Sequence, residues 1–243
     1  MRHEKLALSA ALVALFVGGY YAIGHAQDPA RAHILATRFD RALPYAPAWM
    51  FVYGGVYTAL LLPLFVVKHA GLFRRVAAAY LVTLVVSFAT FLVYPVTTRG
   101  FRPEVATLDA RIFWQWGAAL NYTLDPPLNS FPSLHVGTMT LATLIALKVD
   151  RLVGLFASAI ALLIALSTML VKQHYLADVL AGAAVAFFAY NFFIARWDAS
   201  RLAPEEVRQP RRMVLLYVAA YLFAIFGVLL PLYLAGVKPW EKT

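Results

Sequence analysis

The stretch Ser167–Asp178 reads STMLVKQHYLAD and lies where two long apolar runs meet, Val153–Val171 and Tyr175–Ile194. Two such runs joined by so short a connection predict two membrane helices that follow one another across a tight turn. If the second helix begins near this turn, His174 and Asp178 lie one turn apart on the same face. The carboxylate then holds one imidazole nitrogen and leaves the other as a free lone pair, as in an oriented nucleophile or base. A polar patch at the membrane edge is the alternative interpretation.

The composition places the chain among α-helical membrane proteins. Apolar residues make up 62% of its 243 residues and charged residues only 14%, whereas a soluble domain averages about 25% charged residues. The absence of cysteine excludes disulfides, thiol nucleophiles and cysteine metal sites. The formal charge of +9 comes from basic residues scattered over short loops, which indicates membrane orientation and no nucleic-acid partner.

Seven apolar segments are close to the ~20 residues that cross a bilayer. We therefore expect an all-α fold, a polytopic transmembrane bundle of six to seven spans that forms one integral membrane domain over residues 1–243. The first segment also resembles a signal peptide, but its apolar run is long for one and a retained helix is favoured. The segments are Leu6–Ile23, Trp49–Val67, Val76–Val96, Val136–Val149, Val153–Val171, Tyr175–Ile194 and Met213–Leu234.

The distribution of Lys and Arg predicts the orientation in the membrane. With the N-terminus inside, the inner segments carry twelve basic and five acidic residues, and the outer segments carry nine basic and seven acidic residues. This bias favours an N-terminus inside the cell and a C-terminus outside. In the longest outer connection, Thr97–Ser130, the aromatic residues favour a short interfacial helix over Ala110–Leu120, and the simpler interpretation is an aromatic belt without a substrate role.

Three stretches at the outer ends of the predicted helices carry groups suited to phosphate. They are RGFRP at Arg99–Pro103, FPSLH at Phe131–His135 and KQHYLAD at Lys172–Asp178. All three lie on the same side of the membrane under either orientation, since an even number of segments separates each from the next. We therefore expect these stretches to converge on one site.

The chemistry of the first two stretches suits an anion. Arg99 and Arg102 supply planar forks of donors that match phosphate oxygens. We expect Pro132 in the first turn of a helix capped by Asn129 or Ser130. Free backbone N–H groups at that helix start, together with the Ser133 hydroxyl, would then face the anion.

The two histidines have separate expected roles. His135 lies beside the anion and is suited to donate a proton to a leaving oxygen. His174, held by Asp178, is suited to attack phosphorus. His174 must then be neutral and His135 protonated at the start, which predicts a bell-shaped pH dependence.

The motifs PSLH at Pro132–His135 and S-x6-H-x3-D at Ser167–Asp178 resemble the second and third signatures of the type 2 phosphatidic acid phosphatase and vanadium haloperoxidase superfamily. The resemblance covers roughly residues 76–195, which we expect to form the catalytic core. It implies a helical bundle that cleaves a phosphoester through a phosphohistidine.

The resemblance also assigns roles to individual residues. It implies that His174 is the nucleophile, that Asp178 orients it and that His135 is the general acid. The Arg before Pro in the first signature, here Arg102, binds phosphate. Ser167, the first residue of the third signature, is also counted among the phosphate-binding residues.

The sequence departs from the superfamily pattern at two cations. Pro95 stands where the first signature has Lys, and Thr168 stands where the third signature usually has Arg. Lys172 lies four residues after Thr168, on the same helical face if the helix continues that far, and is a candidate to replace the lost Arg. Arg99 is a candidate to replace the lost Lys. The form S-T-x-x-x-K-Q-H-Y-x-x-D resembles the branch that includes inositol phosphorylceramide synthases, which transfer a phosphoryl headgroup to an alcohol.

The sequence thus predicts a membrane lipid phosphatase that acts at the extracytoplasmic face, in the cytoplasmic membrane of a cell with two membranes. A phosphotransferase that moves a headgroup between lipids is the first alternative. A catalytically weak homologue that binds or translocates a lipid phosphate is the second, motivated by the two missing cations. No metal or cofactor is expected, because the sequence lacks the carboxylate cluster that Mg²⁺ prefers. The expected partners are membrane lipids.

Overall fold

Helices dominate the computed structural model of the protein, which describes residues 2–59 and 62–241 and, within them, no side chain at residues 2, 58–59 and 208–213. The prediction of an all-α fold is confirmed, since these residues form helices and two isolated β-bridges. A π-helical segment, Phe223–Leu229, joins the last two helices. The helices are α1 (Arg2–Ala26), α2 (Arg38–Ala42), α3 (Met50–Ala59), α4 (Leu62–Val66), α5 (Ala70–Val93), α6 (Phe113–Leu124), α7 (Leu134–Val149), α8 (Arg151–Leu170), α9 (Leu176–Phe193), α10 (Pro204–Leu222) and α11 (Leu230–Leu234).

Five helical stretches of the described chain are long and apolar enough to cross a membrane, namely His3–Ala26, Ala70–Val93, Arg151–Leu170, Leu176–Phe193 and Val214–Leu234. The two remaining predicted segments are shorter as helices. The fourth is α7, with 16 residues, and the second is divided between α3 and α4. The bundle of six to seven predicted spans is consistent with this arrangement.

Helix α7 lies at the centre of the bundle and packs against α5, α8 and α9. Its contact with α9 is close enough to require glycine at position 182 and to crowd a side chain at position 137. A Cβ atom at Gly182 would lie 2.3 Å from the Ser133 carbonyl oxygen, and a Cβ atom at Gly137 would lie 3.1 Å from the Gly182 oxygen. The start of α7 therefore approaches the first turns of α9 at backbone distance, where the Ser133 N–H donates to the Asp178 carbonyl oxygen at 3.0 Å.

Helices α1 and α3 pack on the sides of this core. Helix α1 packs on α5 through Tyr20, which contacts Phe88 and Phe91 in one apolar cluster. Helix α3 packs on α8, with Val56 against Ile164. Many large apolar side chains on the remaining faces stay exposed, as lipid-facing helices require.

The short helix predicted for Ala110–Leu120 is present as α6, which begins three residues later and ends four residues later. Two of its aromatic residues do not lie on a surface belt. Trp116 is 1% exposed and its Nε1 donates to the Val237 carbonyl oxygen at 2.6 Å. Tyr122 is also buried, and its hydroxyl donates to the Val171 carbonyl oxygen. These side chains hold α6 against the bundle, so the belt interpretation is wrong for them.

Candidate active site

A tight turn after α8 brings the histidine of the third signature to the start of α7. The α-helix ends at Leu170, and Lys172 adopts a left-handed backbone with φ of 57°. The chain then folds back, so that the N–H groups of Gln173 and His174 both donate to the Thr168 carbonyl oxygen, at 2.9 and 3.1 Å. The expectation that Lys172 shares a helical face with Thr168 is wrong, because the helix has already ended.

Asp178 holds both the start of α9 and the imidazole before it. Its Oδ2 accepts the Tyr175 N–H at 2.9 Å, which caps the helix, and lies 3.3 Å from His174 Nδ1. His174 precedes α9 instead of lying within its first turn, yet the predicted contact with Asp178 is made. Both side chains are buried, with exposures of 3% and 0%. Because Nδ1 faces the carboxylate, the lone pair of His174 lies at Nε2.

The second histidine stands directly in front of that lone pair. His135, in the first turn of α7, places its Nδ1 3.1 Å from His174 Nε2. The two rings lie 5.3 Å apart, edge to face. Two signatures that are 39 residues apart in sequence are thus brought into hydrogen-bond contact, as the convergence argument predicted.

The helix start at α7 differs in detail from the prediction. Ser133 is the N-cap, and its hydroxyl oxygen accepts the Val136 N–H at 3.2 Å. Pro132 lies before the helix, and neither Asn129 nor Ser130 caps it. The Ser133 backbone N–H donates to Asp178 instead of facing an open site. Ser133 therefore joins the two signatures and fixes the approach of His135 to His174.

The predicted cations are placed very differently from one another. Arg102 is partly buried, and its guanidinium donates to the Gln173 Oε1 at 3.1 Å and to the carbonyl oxygens of Asp125 and Tyr122, both at 3.2 Å. It is thereby tied to the residue next to His174. Arg99 is exposed.

Two further predicted residues are engaged elsewhere. The Lys172 ammonium donates to the carbonyl oxygens of Asp40 and Leu43, at 2.9 and 2.7 Å, and stacks over Phe101. The Ser167 hydroxyl donates to the Ile164 carbonyl oxygen inside α8. The structure therefore groups His174, Asp178 and His135, with Ser133 and Arg102 beside them, and leaves Arg99, Lys172 and Ser167 outside this group.

The prediction from sequence missed a second buried carboxylate. Asp125, just after α6, accepts hydrogen bonds from the hydroxyl groups of Tyr20 at 2.7 Å and Tyr53 at 2.9 Å, and from Gln173 Nε2 at 3.2 Å. The Tyr53 oxygen also lies 3.1 Å from His135 Nε2. The one available signal was an acidic residue next to an apolar helix, which is a functional hypothesis by default.

A third carboxylate, also missed, supports the turn from outside. Asp40 accepts the Leu176 N–H at 2.7 Å through Oδ1 and the Thr37 N–H and hydroxyl at 2.8 and 2.6 Å through Oδ2. Burial of Asp40 acts to raise its pKa, but these hydrogen bonds outweigh it and hold the pKa below its ordinary value. The charged form of Asp40 thus anchors the first turn of α9 to the segment that also receives Lys172.

Two apolar cavities lie beside the site, and the first of them reaches its buried groups. The first, of about 410 Å³, is lined by aliphatic and aromatic side chains of α1 and α5 and ends at His135 and Asp125. The second, of about 430 Å³, lies between α3, α6 and the C-terminal helices, and the two share Tyr21 and Tyr57 as walls. Within the described ranges, no three His, Asp or Glu side chains are grouped as a metal site.

Comparison with known families agrees with the geometry. The family model described as the PAP2 superfamily matches residues 30–192, more than half of the chain, so the protein belongs to this superfamily. Members of the superfamily are phosphatases or phosphotransferases, which supports this general class for the chain. A search of curated proteins and a search of solved structures each gave no significant match. The superfamily resemblance is therefore confirmed, and the resemblance to the inositol phosphorylceramide synthase branch stays a prediction.

Proposed function

We propose that the protein is a membrane lipid phosphatase that hydrolyses a lipid phosphate ester through a phosphohistidine on His174. The observation that carries this proposal is the line Asp178–His174–His135, in which a carboxylate, a nucleophilic nitrogen and a proton donor stand 3.3 and 3.1 Å apart. This is the order that nucleophilic catalysis with an oriented imidazole needs.

In the first step the lone pair of His174 Nε2 attacks phosphorus. A nitrogen–phosphorus bond forms, and the bond from phosphorus to the ester oxygen breaks. His135 gives the proton on its Nδ1 to that oxygen, and the lipid alcohol leaves. The direct contact between the two imidazoles must open to admit the phosphoryl group, and the two nitrogens then face its opposite sides.

In the second step water replaces the leaving alcohol. His135, now neutral, accepts a proton from water as the oxygen attacks phosphorus. The nitrogen–phosphorus bond breaks, inorganic phosphate leaves, and His174 Nε2 regains its lone pair. Asp178 keeps the remaining proton of His174 on Nδ1 in both steps, so the imidazole does not turn.

Charge on the phosphoryl oxygens is balanced by groups at the start of α7 and by Arg102. The first N–H groups of a helix have no backbone partner within it and carry a partial positive charge. At α7 the Ser133 hydroxyl accepts the Val136 N–H, so we assign this role to the N–H groups of Leu134 and His135. Arg102 donates to Gln173, the residue next to His174. To bind phosphate, its guanidinium needs only to exchange one carbonyl or amide partner for a phosphate oxygen.

The apolar cavity that ends at His135 supports a lipid as the substrate. Along α1 its lining extends from Ser9 to Tyr21, which is about 18 Å at the rise of an α-helix. A hydrocarbon chain lying there would place its phosphate headgroup beside the histidine pair. Most of the cavity lining is aliphatic or aromatic, so we expect the cavity to accept a hydrocarbon chain without distinguishing one chain from another.

The second cavity favours a second candidate function, a phosphotransferase. It is similar in volume to the first and separated from it by Tyr21 and Tyr57. A lipid alcohol seated there would resolve the phosphohistidine in place of water. The product would be a new phosphate ester instead of inorganic phosphate.

For the membrane face, we propose that the site opens to the extracytoplasmic side. The support is the excess of Lys and Arg in the loops at the other ends of the helices. In a cell with two membranes, the inner membrane is the location that we propose, because the spans are α-helical.

The experiment is phosphate release from a panel of lipid phosphates in detergent micelles, with the wild type and His174→Ala. The panel contains phosphatidic acid, an isoprenyl diphosphate and phosphatidylinositol, each with and without a lipid alcohol. His25→Ala is the matched control, because His25 is an exposed histidine near the outer end of α1.

Release that depends on His174 and not on His25 supports the phosphatase. Turnover that requires the alcohol and yields a new ester moves the assignment to the phosphotransferase. No turnover that depends on His174 overturns both and favours a homologue that binds or translocates lipid phosphates.

A further inference from the structure

The buried polar groups around the histidine pair form one continuous line of five side chains. Asp178 contacts His174, His174 contacts His135, His135 contacts Tyr53 and Tyr53 contacts Asp125, at 3.3, 3.1, 3.1 and 2.9 Å. The line has a carboxylate at each end and four hydrogen bonds between its members. Tyr53 and Asp125, which follow His135 in this line, are the part that the proposed function does not use.

Four hydrogen bonds need four protons, and the neutral histidines do not supply them. One proton on each imidazole and one on the Tyr53 hydroxyl make three when both carboxylates are ionised. Three donors converge on Asp125, from Tyr20, Tyr53 and Gln173, so its oxygens act as acceptors. The fourth proton completes the line when His135 carries protons on both nitrogens.

The directions of the hydrogen bonds then follow without conflict. His174 donates from Nδ1 to Asp178 and accepts at Nε2 from His135 Nδ1–H. His135 donates from Nε2 to the Tyr53 oxygen, and the Tyr53 hydroxyl donates to Asp125. This is the protonation state in which His174 has its free lone pair and His135 has a proton to give.

Burial alone works against a charged His135. The ring is 3% exposed and is surrounded by Tyr20 from α1 and by Tyr53 and Tyr57 from α3, at ring distances of 6.3, 5.0 and 6.1 Å. Removing an imidazolium from water is costly unless an opposite charge compensates for it. The charged and titratable groups that face His135 are these tyrosines, His174 and Asp125, so Asp125 supplies the opposite charge on the side away from the nucleophile.

We propose that Asp125, acting through Tyr53, is the positioning residue that keeps His135 in its protonated form with Nδ1 turned toward His174. This inference rests on the proposed function, because it explains how the general acid of that reaction is prepared. It repeats for the acid what Asp178 does for the nucleophile. Gln173 adds a link from Asp125 to Arg102, so the carboxylate does not turn toward the incoming phosphate.

The test compares two leaving groups in the wild type and Asp125→Asn. Cleavage of an alkyl phosphate, such as phosphatidic acid, releases an alcohol whose oxygen must be protonated. Cleavage of 4-nitrophenyl phosphate releases 4-nitrophenolate, a stable anion that needs no proton. General acid catalysis typically contributes 10²- to 10⁴-fold. We expect Asp125→Asn to lower kcat for the alkyl ester by about 100-fold and to leave the burst of 4-nitrophenolate nearly unchanged.

Two further variants separate this role from a structural one. Tyr53→Phe removes the connecting hydroxyl and is expected to reproduce the selective loss. Adding Asp125→Asn to His135→Ala is expected to cost little more than His135→Ala alone, since residues that act as a unit are not additive. An equal loss with both leaving groups, or a full additional loss in the double variant, would overturn the proposal.

A readout without turnover keeps the proposal separate from the proposed function. Nitrogen-15 NMR of histidine-labelled full-length protein in micelles reports His135, assigned by its disappearance in His135→Ala. We expect an imidazolium at neutral pH in the wild type and a titration midpoint about one pH unit or more lower in Asp125→Asn, since one unit corresponds to a modest charge interaction. A neutral His135 in both proteins contradicts the proposal even if no phosphate ester is turned over, whereas the failure of the proposed function appears only in the release assay.

Discussion

Replacing Lys172 by Met is predicted to destabilise the protein without weakening its affinity for phosphate. Burial lowers the pKa of Lys172, the Asp40 carboxylate opposes this effect, and the ammonium donates to two carbonyl oxygens at 2.9 and 2.7 Å. Hydrogen bonds to a charged group contribute about 1.5–3 kcal/mol each. Two such bonds total about 3–6 kcal/mol, but Met avoids the desolvation of the ammonium and keeps most of the buried chain. We therefore expect the free energy of unfolding to fall by about 2–4 kcal/mol.

The assay pairs unfolding in detergent with inhibition by inorganic phosphate. For Lys172→Met the inhibition constant of phosphate is expected to change less than about twofold, because the ammonium faces carbonyl groups and not the histidine pair. Arg102→Lys is the comparison, since it replaces a fork of donors by a point charge and is expected to raise that constant about tenfold. The reasoning is refuted if Lys172→Met weakens phosphate binding as much as Arg102→Lys while leaving stability unchanged.

Three other substitutions test the packing around the site. Gly182→Ala would place a Cβ 2.3 Å from the Ser133 carbonyl oxygen, so we expect a loss of about 1–3 kcal/mol in unfolding experiments and a lower kcat; unchanged activity and stability would contradict the close contact between α7 and α9. Ser133→Ala removes the α7 cap and is expected to cost about 1 kcal/mol, measured by the same unfolding, whereas Ser133→Thr should retain most of it. Asp40 has a pKa held below its ordinary value, so its contribution to stability is present above the unfolded pKa of about 3.9 and is lost as the pH falls through the folded value. Asp40→Asn should therefore flatten the acid side of the pH–stability curve, and an unchanged curve would exclude Asp40 as an anchor of α9.

The sequence predicted the grouping of His135, His174 and Asp178 because the argument needed only two kinds of information. Apolar segments fix the side of the membrane on which each connection lies, and the spacing of four residues brings His174 next to Asp178. Neither step depends on side-chain packing. This is why the site centre was predictable even though His174 precedes α9 and Ser133, not Asn129 or Ser130, caps α7.

The remainder of the site depended on features that are not local in sequence. Lys172 is a candidate phosphate ligand in the sequence only if the helix continues as far as Lys172, but the helix ends before it and Lys172 contacts Asp40 and Leu43. Asp125 and Tyr53 are 72 residues apart and meet only because α3 and the end of α6 pack beside each other. The sequence does not distinguish a tyrosine that only packs in an apolar segment from one whose hydroxyl also donates a hydrogen bond.

The central claim is that His174 carries the phosphoryl group, and the most direct measurement is to trap it there. With 4-nitrophenyl phosphate the first step needs no general acid, because the leaving group is a stable anion. The variant His135→Ala lacks the general base for the second step, so the phosphorylated intermediate should accumulate. After a rapid quench, mass spectrometry is expected to find close to one phosphate per protein on His174, stable to alkali and labile to acid, and none in the His135→Ala/His174→Ala double variant. A burst of 4-nitrophenolate with the phosphate on another residue, or with no phosphorylated protein, would contradict the account.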